Sequence, residues 1–158
     1  FFTVYGPWGR PDMAPMIFTN AIFKNQPIHI FNNGQMSRDF TYIDDVVETI
    51  SRLLNKPASK NYNFNKDLPE VRSSWAPYKI FNIGNSNPVN LMKFLETLEN
   101  QIGKKAIKIF EEMKQGDVKD TYADNEFIKT WTGFAPKTNL KKGIKKFIDW
   151  YKDYYKIN

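Results

Sequence analysis

Short β-prone runs alternate along this chain with helical stretches that carry their own start and stop signals, and that alternation confines it to an α/β architecture. The clearest unit is VNLMKFLETLENQIG, residues 89–103. Val89 stands as a hydrophobic staple, Asn90 as N-cap and Gly103 as C-cap, while Leu91, Phe94, Leu95, Leu98 and Ile102 recur at the period of one buried helix face. A second helix is predicted over 14–24, started by Pro11-Asp12 and stopped before Pro27. A third carries Val46, Val47, Ile50, Leu53 and Leu54. Its Asp45 and Glu48 read as a capping box, and the adjacent Asp44-Asp45 as capping groups rather than a carboxylate dyad. A short helix is expected over 124–131, ended by Gly133. The last helix sets Leu140, Ile144, Phe147, Ile148, Tyr151 and Tyr155 on one stripe, with Lys141, Lys142, Lys145 and Lys146 off it. A terminal helix docked on its own domain explains that stripe better than one lying on a membrane.

Between these helices, strands are expected over 1–5, 28–31, 39–43, 78–83 and 106–110. The first, FFTVY, reads as a buried strand running into the breaker cluster Gly6-Pro7-Trp8-Gly9. Residues 32–34 read as a turn. Residues 57–79 lack periodicity, contain three prolines, and read as a long surface excursion.

Composition narrows the function classes. At 158 residues and 41% hydrophobic, the chain can bury one core. With no cysteine and a single histidine, neither a disulfide framework nor a thiolate or multi-histidine metal site is available. A reducing cytoplasm suits such a chain. The net charge of +6 raises the question of nucleic acid, but no zinc-finger spacing or stacking motif accompanies it. Neither nucleic acid nor a membrane is expected as a partner.

No motif in these residues performs catalysis unaided, and the glycines form no dinucleotide fingerprint. His29, inside Ile28-His29-Ile30, reads as a strand histidine rather than a general base. Three places carry more. Thr3 puts a hydroxyl in an apolar strand just before a glycine-proline loop, where ligands bind in open α/β sheets, and Arg10 follows that loop. Arg38 lies between a turn and a strand, where a guanidinium can clamp a phosphate. Asp117 sits in a turn that can offer a carboxylate to sugar hydroxyls.

FFTVYGPWGRPDMAP, IFNNGQMSRDFTYIDDVV, YKIFNIGNSNPVNLMKFLETLE and GDVKDTYAD, in this order and spacing, resemble the C-terminal half of NAD-dependent UDP-glucuronate 4-epimerases. These are extended short-chain dehydrogenase/reductases often linked to capsular polysaccharide biosynthesis. The resemblance covers nearly the whole chain except 57–74. It implies the C-terminal portion of an extended Rossmann-type enzyme, comprising the last sheet strands plus the substrate-binding lobe. It also implies that an NAD-binding half precedes Phe1, carrying the Tyr-x-x-x-Lys set and the helices of the usual homodimer, so that this chain alone is inactive. By motif position, Phe1 would lie near the nicotinamide of NAD, and Thr3 and Arg10 near the sugar carboxylate. Phe31 would frame the uracil, largely through its backbone, Arg38 would bind the diphosphate, and Asp117 would approach the ribose. The ligand implied is a UDP-sugar, UDP-glucuronate first. One departure stands out: Lys114-Gln115-Gly116-Asp117 replaces the family's Gln-Pro-Gly-Asp, adding a cation near the diphosphate and freeing the turn. The alternatives are a related UDP-glucose or UDP-N-acetylhexosamine epimerase or dehydratase, a stand-alone nucleotide-sugar binding module, or a nonfunctional gene remnant.

Overall fold

A computed structural model describes residues 1–157. Six short strands and five helices follow one another, with parallel and antiparallel pairs held together by helix packing rather than by one wide sheet. β1 (Thr3–Tyr5) pairs in parallel with β4 (Phe40–Tyr42), with Thr3 opposite Phe40 and Tyr5 opposite Tyr42. β2 (Pro27–Ile30) pairs in parallel with β6 (Ile107–Phe110). β3 (Ser37–Arg38) pairs antiparallel with β5 (Val89–Asn90). Parallel pairs require helical crossovers. α1 (Ala14–Phe23) lies in the connection from β1 to β4, and α2 (Ile43–Leu54) and α3 (Leu91–Ile102) in that from β2 to β6, while α4 (Glu126–Thr132) and α5 (Leu140–Tyr155) follow the last strand.

The main core lies where α3 and α5 meet the β1–β4 pair. Phe94, Leu95, Leu98, Ile144, Phe147 and Ile148 are all buried there. Phe40 stacks on Phe94 at 4.1 Å between ring centroids, and Tyr5 meets both edge-on. α3 follows its sequence signals closely. Asn90 Oδ1 accepts the Met92 N–H at 2.8 Å, and Gly103 takes φ 79° at the C-cap. α5 docks through its expected stripe, except that Tyr155, its last residue, is half exposed. No helix among the described residues is long and apolar enough to cross a membrane.

Three expectations are corrected. Phe1 and Phe2 are exposed, because pairing begins at Thr3; the neighbouring Asp39 N–H is engaged instead by the Thr121 hydroxyl. Asp44 and Asp45 do not cap α2, whose N-cap is Tyr42 without a side-chain bond. Asp45 Oδ2 accepts the N–H groups of Lys137 and Thr138, and Asp44 pairs with Lys146, so both carboxylates tie down the C-terminal segment. Residues 78–83 form no sheet strand. Their backbone turns back on the excursion, with a bridge from Ser73 to Lys79 and an Ile80 N–H bond to Arg72 O. Residues 32–34 do form a turn, as expected, within a 3-10 segment (Phe31–Gly34) in which Asn32 and Asn33 are left-handed.

Candidate functional site

A cavity of about 650 Å³ opens beside β2, between α1 and the segment that follows β6. Thr3, Phe31, Arg38 and Asp117 all line it. These residues come from β1, the 3-10 turn, β3 and the 114–117 turn, so the fold brings together groups spread over more than a hundred residues of chain. The floor is apolar, built from Ile28, Met36, Phe40 and Leu91. A cavity of this size and character, with few convergent polar groups, is what small-ligand sites require.

Arg38 is firmly held. Its Nη1 donates to the carbonyls of Ser37 and Lys119, both at 2.9 Å, and its Nη2 donates to Asp117 Oδ1 at 3.2 Å. The same Asp117 oxygen accepts the Val118 N–H at 2.9 Å. Asp117 is presented by a β-turn closed by its own N–H on Lys114 O at 3.1 Å, with Gly116 at φ 84°. That left-handed position favours glycine, so the turn closes without the proline that the resemblance led one to expect. Residues 119–121 then run alongside β3, with backbone bonds from Ser37 to Lys119 and from Thr121 to Ser37.

Thr3 is 9% exposed and faces the cavity, and its hydroxyl makes no hydrogen bond to another described residue. Arg10 lies apart from this group. It is exposed, paired to Asp12 at 2.5 Å, and lines an adjoining cavity of about 390 Å³ together with Phe1, Phe2, Pro7 and Ile43. Asp12 lines the main cavity, and Met13 lines both. Phe1 therefore sits with Arg10, next door to the site rather than in it.

Two wall residues were missed by sequence reasoning as ligand-facing groups. His29 Nδ1 is hydrogen-bonded to the Glu111 carboxylate, and both line the cavity. Alternation along β2 does point His29 away from the buried Ile28 and Ile30, but its partner follows only from the β2–β6 register. Lys114 also lines the wall, its Nζ 4.0 Å from the centre of the Phe31 ring. Among the described residues no cluster of metal-ligating side chains occurs.

Beneath the site lies a buried carboxylate, Asp39. Its oxygens accept the N–H groups of Asn85, Ser86 and Ala123, each at 3.1 Å. Gly84 packs directly over it: a Cβ there would sit 2.7 Å from Asp39 Oδ2 and 2.3 Å from the Ala123 methyl. Asp39 thus fixes the loop ends around β3 and β4, and through them the position of Arg38.

Residues 1–68 match the NAD dependent epimerase/dehydratase family. Protein CapI of Staphylococcus aureus is 53% identical over 156 residues, which is 99% of this chain and 47% of that protein. A probable UDP-glucuronate 4-epimerase of Rhizobium meliloti is 46% identical, over 99% of this chain and 46% of its own length. Among solved structures, the UDP-glucuronic acid 4-epimerase from Bacillus cereus, in complex with UDP-glucuronic acid and NAD, superposes with a TM-score of 0.77. It is 30% identical, over 98% of this chain and 44% of that one. The chain is α/β and matches epimerase structures over part of their length; it spans about half the length of the curated relatives it matches.

Proposed function

We propose that these residues form the nucleotide-sugar-holding portion of an NAD-dependent UDP-glucuronate 4-epimerase, which interconverts UDP-glucuronate and UDP-galacturonate. The observation that carries this reading is the convergence of Thr3, Phe31, Arg38 and Asp117 on one apolar-floored cavity. The relatives named above supply the substrate class.

Each side chain has a role its environment suits. Phe31 offers a flat apolar face to the uracil. Arg38, held by three acceptors, presents a fixed positive charge toward the diphosphate. Asp117 accepts from ribose hydroxyls with the oxygen capacity left beside its bond to Arg38. The Thr3 hydroxyl, free of other described partners, donates to the sugar carboxylate.

NAD, when bound, would accept and return the hydride at C4. The residues present fit that group only in part. Phe1, exposed at the lip of the adjoining cavity, offers a flat contact to one ring, but no glycine-rich cradle for a dinucleotide diphosphate lies among the described residues. What this chain contributes is orientation and charge control. A 4-keto glucuronate is a β-keto acid and loses carbon dioxide once its carboxylate charge flows into the ring. A hydrogen bond from Thr3 keeps that charge on the carboxylate oxygens, and charge-assisted bonds of this kind contribute about 1.5–3 kcal/mol.

Arg10 supports a second reading. Its guanidinium is taken up by Asp12, outside the main cavity, which leaves Thr3 as the group selecting an acidic sugar. A neutral UDP-hexose would then serve as ligand. Calorimetric titration of this chain with UDP-glucuronate and UDP-glucose distinguishes the two. Tighter binding of UDP-glucuronate supports the main reading, equal or tighter binding of UDP-glucose supports the second, and no heat with either at millimolar ligand contradicts both.

A further inference from the structure

Six ionisable side chains line the main cavity, and five of them are already matched. Arg38 pairs with Asp117, His29 with Glu111, and Asp12 with Arg10 at the rim. Lys114 is the sixth. Among the described residues it has no carboxylate partner within ion-pair distance, and its ammonium rests on the face of Phe31.

This distribution separates two kinds of cation. Arg38 spends its donors on two backbone carbonyls and one carboxylate, so it is fixed and largely satisfied. Lys114 is exposed, sits on a flexible four-carbon stem and can move. A ring face occupied by an ammonium is unavailable to anything else, so a ligand stacking on that face of Phe31 must displace it. The displaced ammonium stays tethered to the turn that presents Asp117, on the same wall as Arg38.

Building on the nucleotide-sugar reading above, we infer that Lys114 is the exchangeable cation of this cavity: it leaves the Phe31 ring as a pyrimidine nucleotide enters and pairs with the nucleotide's diphosphate. The two halves of this exchange have opposite signs. Removing the ammonium costs the phosphate contact but frees the ring, so a ligand with phosphates and one without must respond differently.

The test is calorimetric titration of the full chain with UDP and with uridine, for wild type, Lys114→Met and Lys114→Arg. Lys114→Met keeps the stem length, and the residue is exposed, so the melting temperature serves as a check that the fold is retained. The expected result is UDP binding weakened about tenfold in Lys114→Met, as for loss of one charge-assisted contact, with uridine binding unchanged or tighter. Lys114→Arg restores most of the UDP affinity. Equal weakening of UDP and uridine, or an unchanged UDP-to-uridine ratio, overturns the exchange while leaving the nucleotide reading intact. Failure of the wild type to bind either compound overturns the nucleotide reading and the exchange with it.

Discussion

Arg38 and Asp117, 79 residues apart in sequence, meet at 3.2 Å on the wall of the main cavity, with the arginine also bonded to the carbonyls of Ser37 and Lys119. The pair does two things at once. It fastens the 117–121 segment to β3, and it sets a guanidinium and a carboxylate side by side on the cavity wall, the positions proposed for the phosphate and ribose contacts. Replacing Arg38 by Met should therefore lower stability by about 1–3 kcal/mol, through loss of its charge-assisted bonds, and should also abolish measurable UDP binding. Urea unfolding and calorimetry on the same variant check both outcomes. A variant that loses binding with full stability would show that the arginine serves the ligand alone.

Asp39 anchors the loops beneath that pair. Its carboxylate satisfies three backbone N–H groups and is fully buried. Asp39→Ala strands those donors away from water and should cost about 3 kcal/mol or more. Asp39→Asn, which keeps the shape but turns a donor toward a donor, should cost less. Denaturant midpoints for the two variants give the ranking.

Tyr5 and Gly143 test the core. The Tyr5 hydroxyl is buried with no hydrogen-bond partner among the described residues, and burial pushes its ionisation above the usual phenol range. A Cβ on Gly143 would come within 2.1 Å of that oxygen. Gly143→Ala should destabilise by about 1–3 kcal/mol despite alanine's better helix propensity. Tyr5→Phe should cost nothing or stabilise by about 1 kcal/mol. In the double variant the alanine should cost less than it does alone, and thermal melts of the full cycle measure that coupling.

Glu99 predicts a pH dependence. Burial alone would raise its carboxyl, but hydrogen bonds from Lys108, the Ala106 N–H and Lys105 outweigh it and hold the group below the ordinary glutamate range. A carboxyl lowered by folding stabilises the folded state fully above its unfolded value, about 4.3, and loses that contribution as pH falls through the folded value. The stability difference between wild type and Glu99→Gln should thus be constant from pH 8 down to about 5 and shrink steadily below about 4. Urea titrations across that range follow it. A difference that grows on acidification would contradict the assignment.

Thr3 tests the choice of sugar. Thr3→Val is nearly isosteric and removes one donor from the cavity wall. It should weaken UDP-glucuronate about tenfold and leave UDP itself unchanged, since only the former brings a carboxylate to that position. Paired calorimetric titrations decide it.

The helices were legible because their signals are local. Asn90, Gly103 and the Leu91–Ile102 stripe carry cap, stop and buried face within one stretch, and Asn139 likewise caps α5 through the Lys141 N–H. Strand ends were less legible, since pairing depends on what lies opposite. Thr121 ends one register at Asp39, and the excursion captures the backbone at Lys79 and Ile80. At the site, Arg38 and Asp117 could be singled out by their places beside turns, but their mutual bond could not. His29 and Glu111 lay further out of reach, because their meeting depends on two strands lying in parallel at a register of 80 residues, Pro27 opposite Ile107 and Ile30 opposite Phe110. Asp39 was read as one letter of a strand. Its role rests on loop amides that no periodicity announces.

A crystal structure of this chain grown with UDP-glucuronate addresses the central claim most directly. The account predicts the nucleotide in the cavity beside β2, with its uracil near Phe31, its diphosphate within hydrogen-bonding reach of Arg38 or Lys114, and its ribose toward Asp117. Ligand bound on another surface, with Arg38 and Asp117 still clasped and untouched, would contradict it.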